Sequence, residues 1–336
     1  MSFGTTSSSH SAGGVARGRH GAAAQHSGWY RREEAIMGTA IVCELWSGGD
    51  AALAEAGLQA VMDEMHRIDR TMSPHKPESE LSRINLHAGT RPFELSEEMF
   101  TLLQRSIELS TLSGGAFDIT YAGAGQLYDY RERVRPSDAA LAQACASIGY
   151  QHLHLDAQKR SVQFGLPGMR IDLGGFAKGH AVDRGAAILR GLGIHHAIVT
   201  AGGDSHVLGD RRGRPWTVAI RDPRRAGEVV AVLPLEDVAI STSGDYERFF
   251  DDGDERCHHV IDPRTGKSPS SVHSVTILAD DGLTTEGLSK SVFVMGVTEG
   301  LRLIESQPGV DAVVVDAHGV LHYSSGLQSG VAQTRQ

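Results

Sequence analysis

Residues 171–189 read Ile171-Asp-Leu-Gly-Gly-Phe-Ala-Lys-Gly-His-Ala-Val-Asp-Arg-Gly-Ala-Ala-Ile-Leu189. A strand-like apolar lead ends in Asp172, the chain turns through Gly174 and Gly175, and apolar residues then recur at helical spacing. Glycines at such a turn let backbone approach a ligand with no Cβ in the way. The first turn of the following helix offers unpaired N–H groups and the positive end of the helix dipole, both suited to phosphate. Lys178 adds a point charge there, and Asp172 an acceptor for a hydroxyl or a ring N–H. The spacing is neither Gly-x-x-x-x-Gly-Lys-Ser/Thr nor Gly-x-Gly-x-x-Gly, so the stretch is neither a P-loop nor a dinucleotide fingerprint. Standing alone, it reads first as a tight turn with a solvated lysine.

Its surroundings decide the fold class. Downstream, Ala197–Val199, Ser205–Leu208, Trp216–Ile220, Val229–Leu233 and Val238–Ser241 are strand candidates at short spacing, with Val275–Leu278 and Ala312–Val315 beyond them. Helical spacing predicts helices over Thr284–Met295 and Glu299–Ser306. Upstream, Ala35–Trp46 reads as one strand and Asp50–Arg70 as a helix capped by Asp50. Ser96 caps a second helix that Gly114-Gly115 stops, Ser137–Ile148 is a third, and Gln151–Leu155 with Ser161–Phe164 reads as a hairpin. Strands therefore come in hairpin-like runs and not in strict β–α–β alternation. The expected class is α+β, with mixed or mostly antiparallel sheets packed with helices. Residues 1–28, rich in Ser, Gly, His and Ala, read as a disordered tail, 29–325 as one domain, and 326–336 as a C-terminal tail.

Composition narrows the partners. The 336 residues carry a net charge of −9, and the Arg clusters at 211–214 and 221–225 are short and broken by other residues, which argues against nucleic acid. Cys43, Cys145 and Cys257 are far apart and odd in number, so neither a disulfide framework nor a zinc site is indicated. No run approaches the roughly 18 apolar residues of a membrane span. The start has no apolar signal segment, so a cytoplasmic compartment is the default, or the periplasm if the start is incomplete.

Five clusters mix glycine with carboxylate, hydroxyl or imidazole: 114–120, 172–179, 201–204, 241–246 and 259–266. Any one of them is an ordinary turn. Five in one chain look like loops converging on a site rich in hydrogen-bonding groups, suited to a ligand with phosphates, hydroxyls and a polar ring. His259, one turn from Asp262 and Arg264, is a candidate proton carrier, against the plainer reading of a strand-end histidine bonded to backbone. Glu286 and Lys290 stand at i and i+4 on one helical face. Ser-Val-Phe-Val-Met295 follows with little polar interruption, so this pair opens a helix running into the core and faces a site sooner than solvent.

Together these residues resemble the ApbE family of FAD:protein FMN transferases. The resemblance runs from Met37-Gly-Thr39 to about Val315. It passes in family order through Gly115-Ala-Phe-Asp-Ile-Thr120, Asp172-Leu-Gly-Gly-Phe-Ala-Lys-Gly179, Gly202-Gly-Asp204, Ser241-Thr-Ser-Gly-Asp-Tyr246, His259-Val-Ile-Asp-Pro-Arg-Thr-Gly266 and the helix near 286. It implies an ApbE-like fold and an enzyme that uses FAD as substrate with a divalent ion, usually Mg2+. Such an enzyme attaches FMN by a phosphoester to a Thr or Ser of an acceptor flavoprotein and releases AMP. By position, Met37, Ala116, Phe117, Asp118, Asp172, Lys178 and Ile261 match FAD contacts, the Gly175 carbonyl matches a metal ligand, and His259 is the candidate base. The last helix departs from the family's Asp-Ala-Leu-x-Thr, whose Asp and Thr bind the metal. Glu286 remains a hard oxygen ligand, whereas Lys290 is none when protonated. Lys290 could stand in for the cation, the metal could shift, or transfer could be lost. The rival functions are a non-catalytic FAD-binding protein and an FAD pyrophosphatase. Members are often exported lipoproteins, and no lipobox cysteine is seen here.

Overall fold

Eight strands form the central sheet, and every neighbouring pair in it is antiparallel. Across the sheet their order is Trp29–Ile36, Thr39–Trp46, Ala197–Ala201, Asp204–Leu208, Ala239–Gly244, Val272–Ala279, Asp311–Asp316 and Leu321–Tyr323. This computed structural model describes residues 28–331 apart from Ala226 and Asp254. The tail expected over 1–28 lies, but for Gly28, outside the described residues, as do residues 332–336, while Ser325–Val331 is helical. The antiparallel, α+β expectation matches the architecture.

Three helices cover one face of the sheet. Ala51–Met72 lies over the first two strands, Ala177–Gly191 over Ala197–Leu208, and Gly282–Glu305 over the strands from Ala239 to Asp316. Each presents an apolar stripe: Val61, Met62, Met65 and Ile68 from the first helix are fully buried. At roughly 1.5–3 kcal/mol per buried side chain, such burial outweighs the surface ion pairs on the opposite faces. The opposite side of the sheet is closed by the Trp216–Arg221 and Val229–Leu235 hairpin, whose Trp216 and Leu235 pack on Val207 and Ile240. Asp50 and Ser96 cap their helices as their positions predict, accepting from the backbone N–H of Leu53 at 2.9 Å and of Met99 at 3.1 Å.

One expectation changes. Ala35–Trp46 is not one strand, because Met37 (φ +54°) and Gly38 (φ +71°) make a two-residue hairpin turn between Trp29–Ile36 and Thr39–Trp46. Both turn residues sit at positive φ, as a tight hairpin requires, and methionine in the first of them hides the signal. The two helices expected over Thr284–Met295 and Glu299–Ser306 are the two parts of Gly282–Glu305, which breaks at Gly296, whose backbone (φ +79°, ψ 179°) is not helical.

Candidate active site

The site is built where the helices Ala177–Gly191 and Gly282–Glu305 touch. A Cβ on Gly179 would lie 2.1 Å from the Gly282 carbonyl oxygen, and one on Gly282 would lie 2.5 Å from that of Gly179. Only glycine permits this approach. Asp183, one turn further along the first helix, accepts from the backbone N–H of Gly282 at 2.7 Å and of Leu283 at 3.2 Å, and so locks the start of the second helix against it. That contact brings Lys178 and Glu286, far apart in sequence, to a shared position.

Glu286, fully buried, becomes the hub. Its Oε1 accepts from Lys178 Nζ at 2.7 Å and from Lys290 Nζ at 3.3 Å, and its Oε2 from the Gly179 backbone N–H at 2.7 Å. One of the helix N–H groups expected to await phosphate is therefore already taken by a carboxylate. Lys178 also pairs with buried Asp204, which accepts in turn from the Ser241 hydroxyl. Ser289 lies 2.8 Å from Ser243 and 3.3 Å from Ser241, and donates back to the Glu286 carbonyl at 2.8 Å. The 172–179, 201–204 and 241–246 clusters thus converge with the 286–290 turn. Asp204, Ser241 and Ser289 were not among the residues singled out for the site; the Gly-Gly-Asp204 run was the available signal.

The charges settle accordingly. Burial alone would depress the Lys178 ammonium, yet Asp204 and Glu286 outweigh it and hold its pKa above the ordinary lysine value. Burial likewise works against the Asp204 carboxylate, but Lys178 and Lys290 bring it below the usual range. For Lys290 burial wins and its pKa falls, with Glu286 opposing and Lys178 reinforcing. Burial pushes the His259 imidazole down to about 3, assisted by Lys290, His258 and Lys178, and its Nδ1 is buried with no hydrogen-bond partner. His259 therefore shares the field of both lysines. Neighbouring His258 is structural: its Nε2 lies 2.8 Å from the Pro269 carbonyl oxygen and its ring stands edge-on to Phe293.

The profile of the ApbE family matches residues 37–314. The chain belongs to the ApbE family. Its relatives include proteins named FAD:protein FMN transferase from Treponema pallidum, 30% identical over 89% of this chain and 87% of that one, and from Vibrio cholerae, 34% identical over 80% and 82%. Among solved structures, the ApbE protein of Thermotoga maritima superposes with a TM-score of 0.83 at 30% identity, covering 90% of this chain and 98% of that one.

In this ApbE protein the Asp172 loop meets the 114–120 cluster, Asp172 N donating to the Ile119 carbonyl at 2.9 Å. Asp172, its carboxyl raised by burial, accepts from Gly174 N at 2.5 Å. Beside it Tyr121, missed in the sequence, has its hydroxyl pushed well above the ordinary range by burial, with Asp172, Tyr130 and Glu286 adding to the rise. Ala116 and Phe117 are buried, and Phe117 packs 5.5 Å from Phe176 at the start of the Ala177 helix. Asp118 has its carboxylate occupied by Thr120 N at 2.8 Å, Thr120 Oγ1 at 2.7 Å and Tyr150 N at 2.8 Å. Met37 reaches the neighbourhood through its turn: a Cβ on Gly38 would meet Arg248 at 3.2 Å, and the Arg248 carbonyl accepts from His259 N at 3.1 Å. Ile261 belongs to a small core with Tyr128, Leu141 and Phe250, against which Tyr121 also packs.

The divalent cation that the family resemblance implies meets a poor donor set. Gly175 and Glu286 were its expected ligands, and Lys290 lies against both, with Cε 3.5 Å from where a Gly175 Cβ would stand. Ammonium groups have no lone pairs and repel Mg2+. Among the described residues no group of three His, Cys, Asp or Glu side chains could hold a metal ion. The residues present do not fit Mg2+.

Proposed function

We propose that this chain cleaves FAD and transfers its FMN half to a Thr or Ser hydroxyl of an acceptor flavoprotein, with AMP as the second product. Family membership across residues 37–314, among relatives bearing that activity in their names, is the observation that carries the reading. In the transfer, the acceptor oxygen bonds to the FMN phosphorus and the bridging P–O bond breaks. The bridging oxygen leaves with AMP, and the hydroxyl proton passes to a base. Positioning and charge neutralisation supply most of the catalysis in such reactions. Lys178 and Lys290 are the positive groups at hand, and Asp172 with the Gly174-Gly175 turn orients the nucleotide.

His259 is the base. Its depressed pKa keeps the imidazole neutral near pH 7, with a lone pair free to take a proton. A pyrophosphate docking on the lysines offsets the positive field on the ring and raises its basicity when it is needed.

The test is incubation with FAD and a Thr-bearing acceptor. AMP released in step with flavin-labelled acceptor is the expected result. AMP with free FMN alone would make the chain a pyrophosphatase, and FAD bound without AMP would make it a binding protein. His259→Asn should lower AMP release by about 10²–10⁴-fold and leave FAD affinity nearly intact. Loss of FAD binding in that variant would assign the histidine to the fold.

A further inference from the structure

The acid–lysine cluster is layered by exposure. The side chains of Glu286 and Asp204 are 0% and 2% exposed, whereas those of Lys290 and Lys178 are 16% and 26% exposed. The carboxylates form the floor, and the two lysine side chains lie over them, nearer to solvent. Buried anions alone would repel a pyrophosphate; capped by two lysines they serve to aim positive charge at it.

The two lysines are not equally engaged. Lys178 is shared between Asp204 and Glu286. Lys290 has a single hydrogen-bond partner among the described residues, Glu286 at 3.3 Å, although an ammonium carries three donors. Its stem crosses the face of Gly175, and its head reaches the carboxylate with which Gly175 was expected to share a metal. One side chain thus passes against Gly175 and ends on Glu286, the two expected metal ligands, with donors to spare.

We propose that Lys290 is a built-in replacement for the divalent cation: its ammonium, held by Glu286, neutralises the FAD pyrophosphate, so that this chain binds FAD without a metal. The proposal rests on the reading that FAD is the substrate. Glu286 is then a positioning residue that keeps the ammonium in place. One positive charge with movable donors replaces two charges with fixed coordination.

The test is calorimetric titration of FAD into the full chain, in EDTA and then in Mg2+. FAD affinity should be the same in both. Lys290→Met, which keeps the apolar stem, should weaken binding roughly 10–100-fold in EDTA, the loss expected for a charge-assisted hydrogen bond. The double variant Glu286→Asp with Lys290→Thr should bind FAD tightly only with Mg2+, and should acquire a Mn2+ site, visible by electron paramagnetic resonance, that the parent lacks. Tight binding by the unaltered chain in Mg2+ that collapses in EDTA, or a stoichiometric Mn2+ site in it, would overturn the replacement and leave the flavin reading standing. No FAD binding under either condition would overturn the flavin reading itself. The comparison of the unaltered chain in the two buffers needs no variant to fold.

Discussion

Glu286 and Asp118 are both buried carboxylates inside recognisable motifs, and their partners tell them apart. Asp118 takes its donors from Thr120, two residues away, and from the Tyr150 backbone; all are neutral, and burial raises its carboxyl pKa. Glu286 takes its donors from two lysines and a helix-end amide, and two of those three donors come from the other helix. Asp118 fixes a turn. Glu286 collects positive charge at one point. Burial and motif membership are common to both, and the two differ in the charge and the origin of their donors.

Removing each charge should widen that contrast. Glu286→Gln leaves Lys178 and Lys290 facing each other over a neutral amide. It should destabilise the fold by about 3–5 kcal/mol, the usual consequence of removing one partner from a buried ion pair. Urea unfolding measures this. An equally stable Glu286→Gln would mean that the lysines relax into solvent and the cluster is not held together. Asp118→Asn keeps shape and loses acceptor strength, so it should lower stability by about 1–3 kcal/mol while leaving FAD affinity unchanged. A large fall in affinity with full stability would move Asp118 from the fold to the site.

The smallest effect concerns pH. The folded pKa of His259, about 3, lies below its unfolded value near 6.5, so between these values the unfolded chain binds the additional proton. Its stabilising contribution is complete above pH 6.5 and is lost as pH falls. On going from pH 7 to pH 5.5 this should remove about 1 kcal/mol, and His259→Asn should lose less over the same interval. Parallel pH profiles for the two proteins would show that the imidazole is more hydrated than its surroundings suggest.

Much of this was written locally in the chain. Helix caps are contacts over three residues, so Asp50 and Ser96 were legible, as were the hairpin-like strand runs behind the antiparallel sheet. The Glu286–Lys290 pair was legible too, because four residues is one helical turn. The Met37-Gly38 turn was not, since its first residue lacks the usual turn chemistry. Nor was the depth of Asp204, or the fact that Glu286 would claim the Gly179 amide. The sequence by itself determined the helix caps, the antiparallel strand runs, the family and the unusual lysine. Tertiary structure alone decided that Lys178 meets Asp204 across 26 residues and Glu286 across 108. Those meetings depend on two helices approaching through a pair of glycines, and such a contact has no period or spacing for a linear pattern to show.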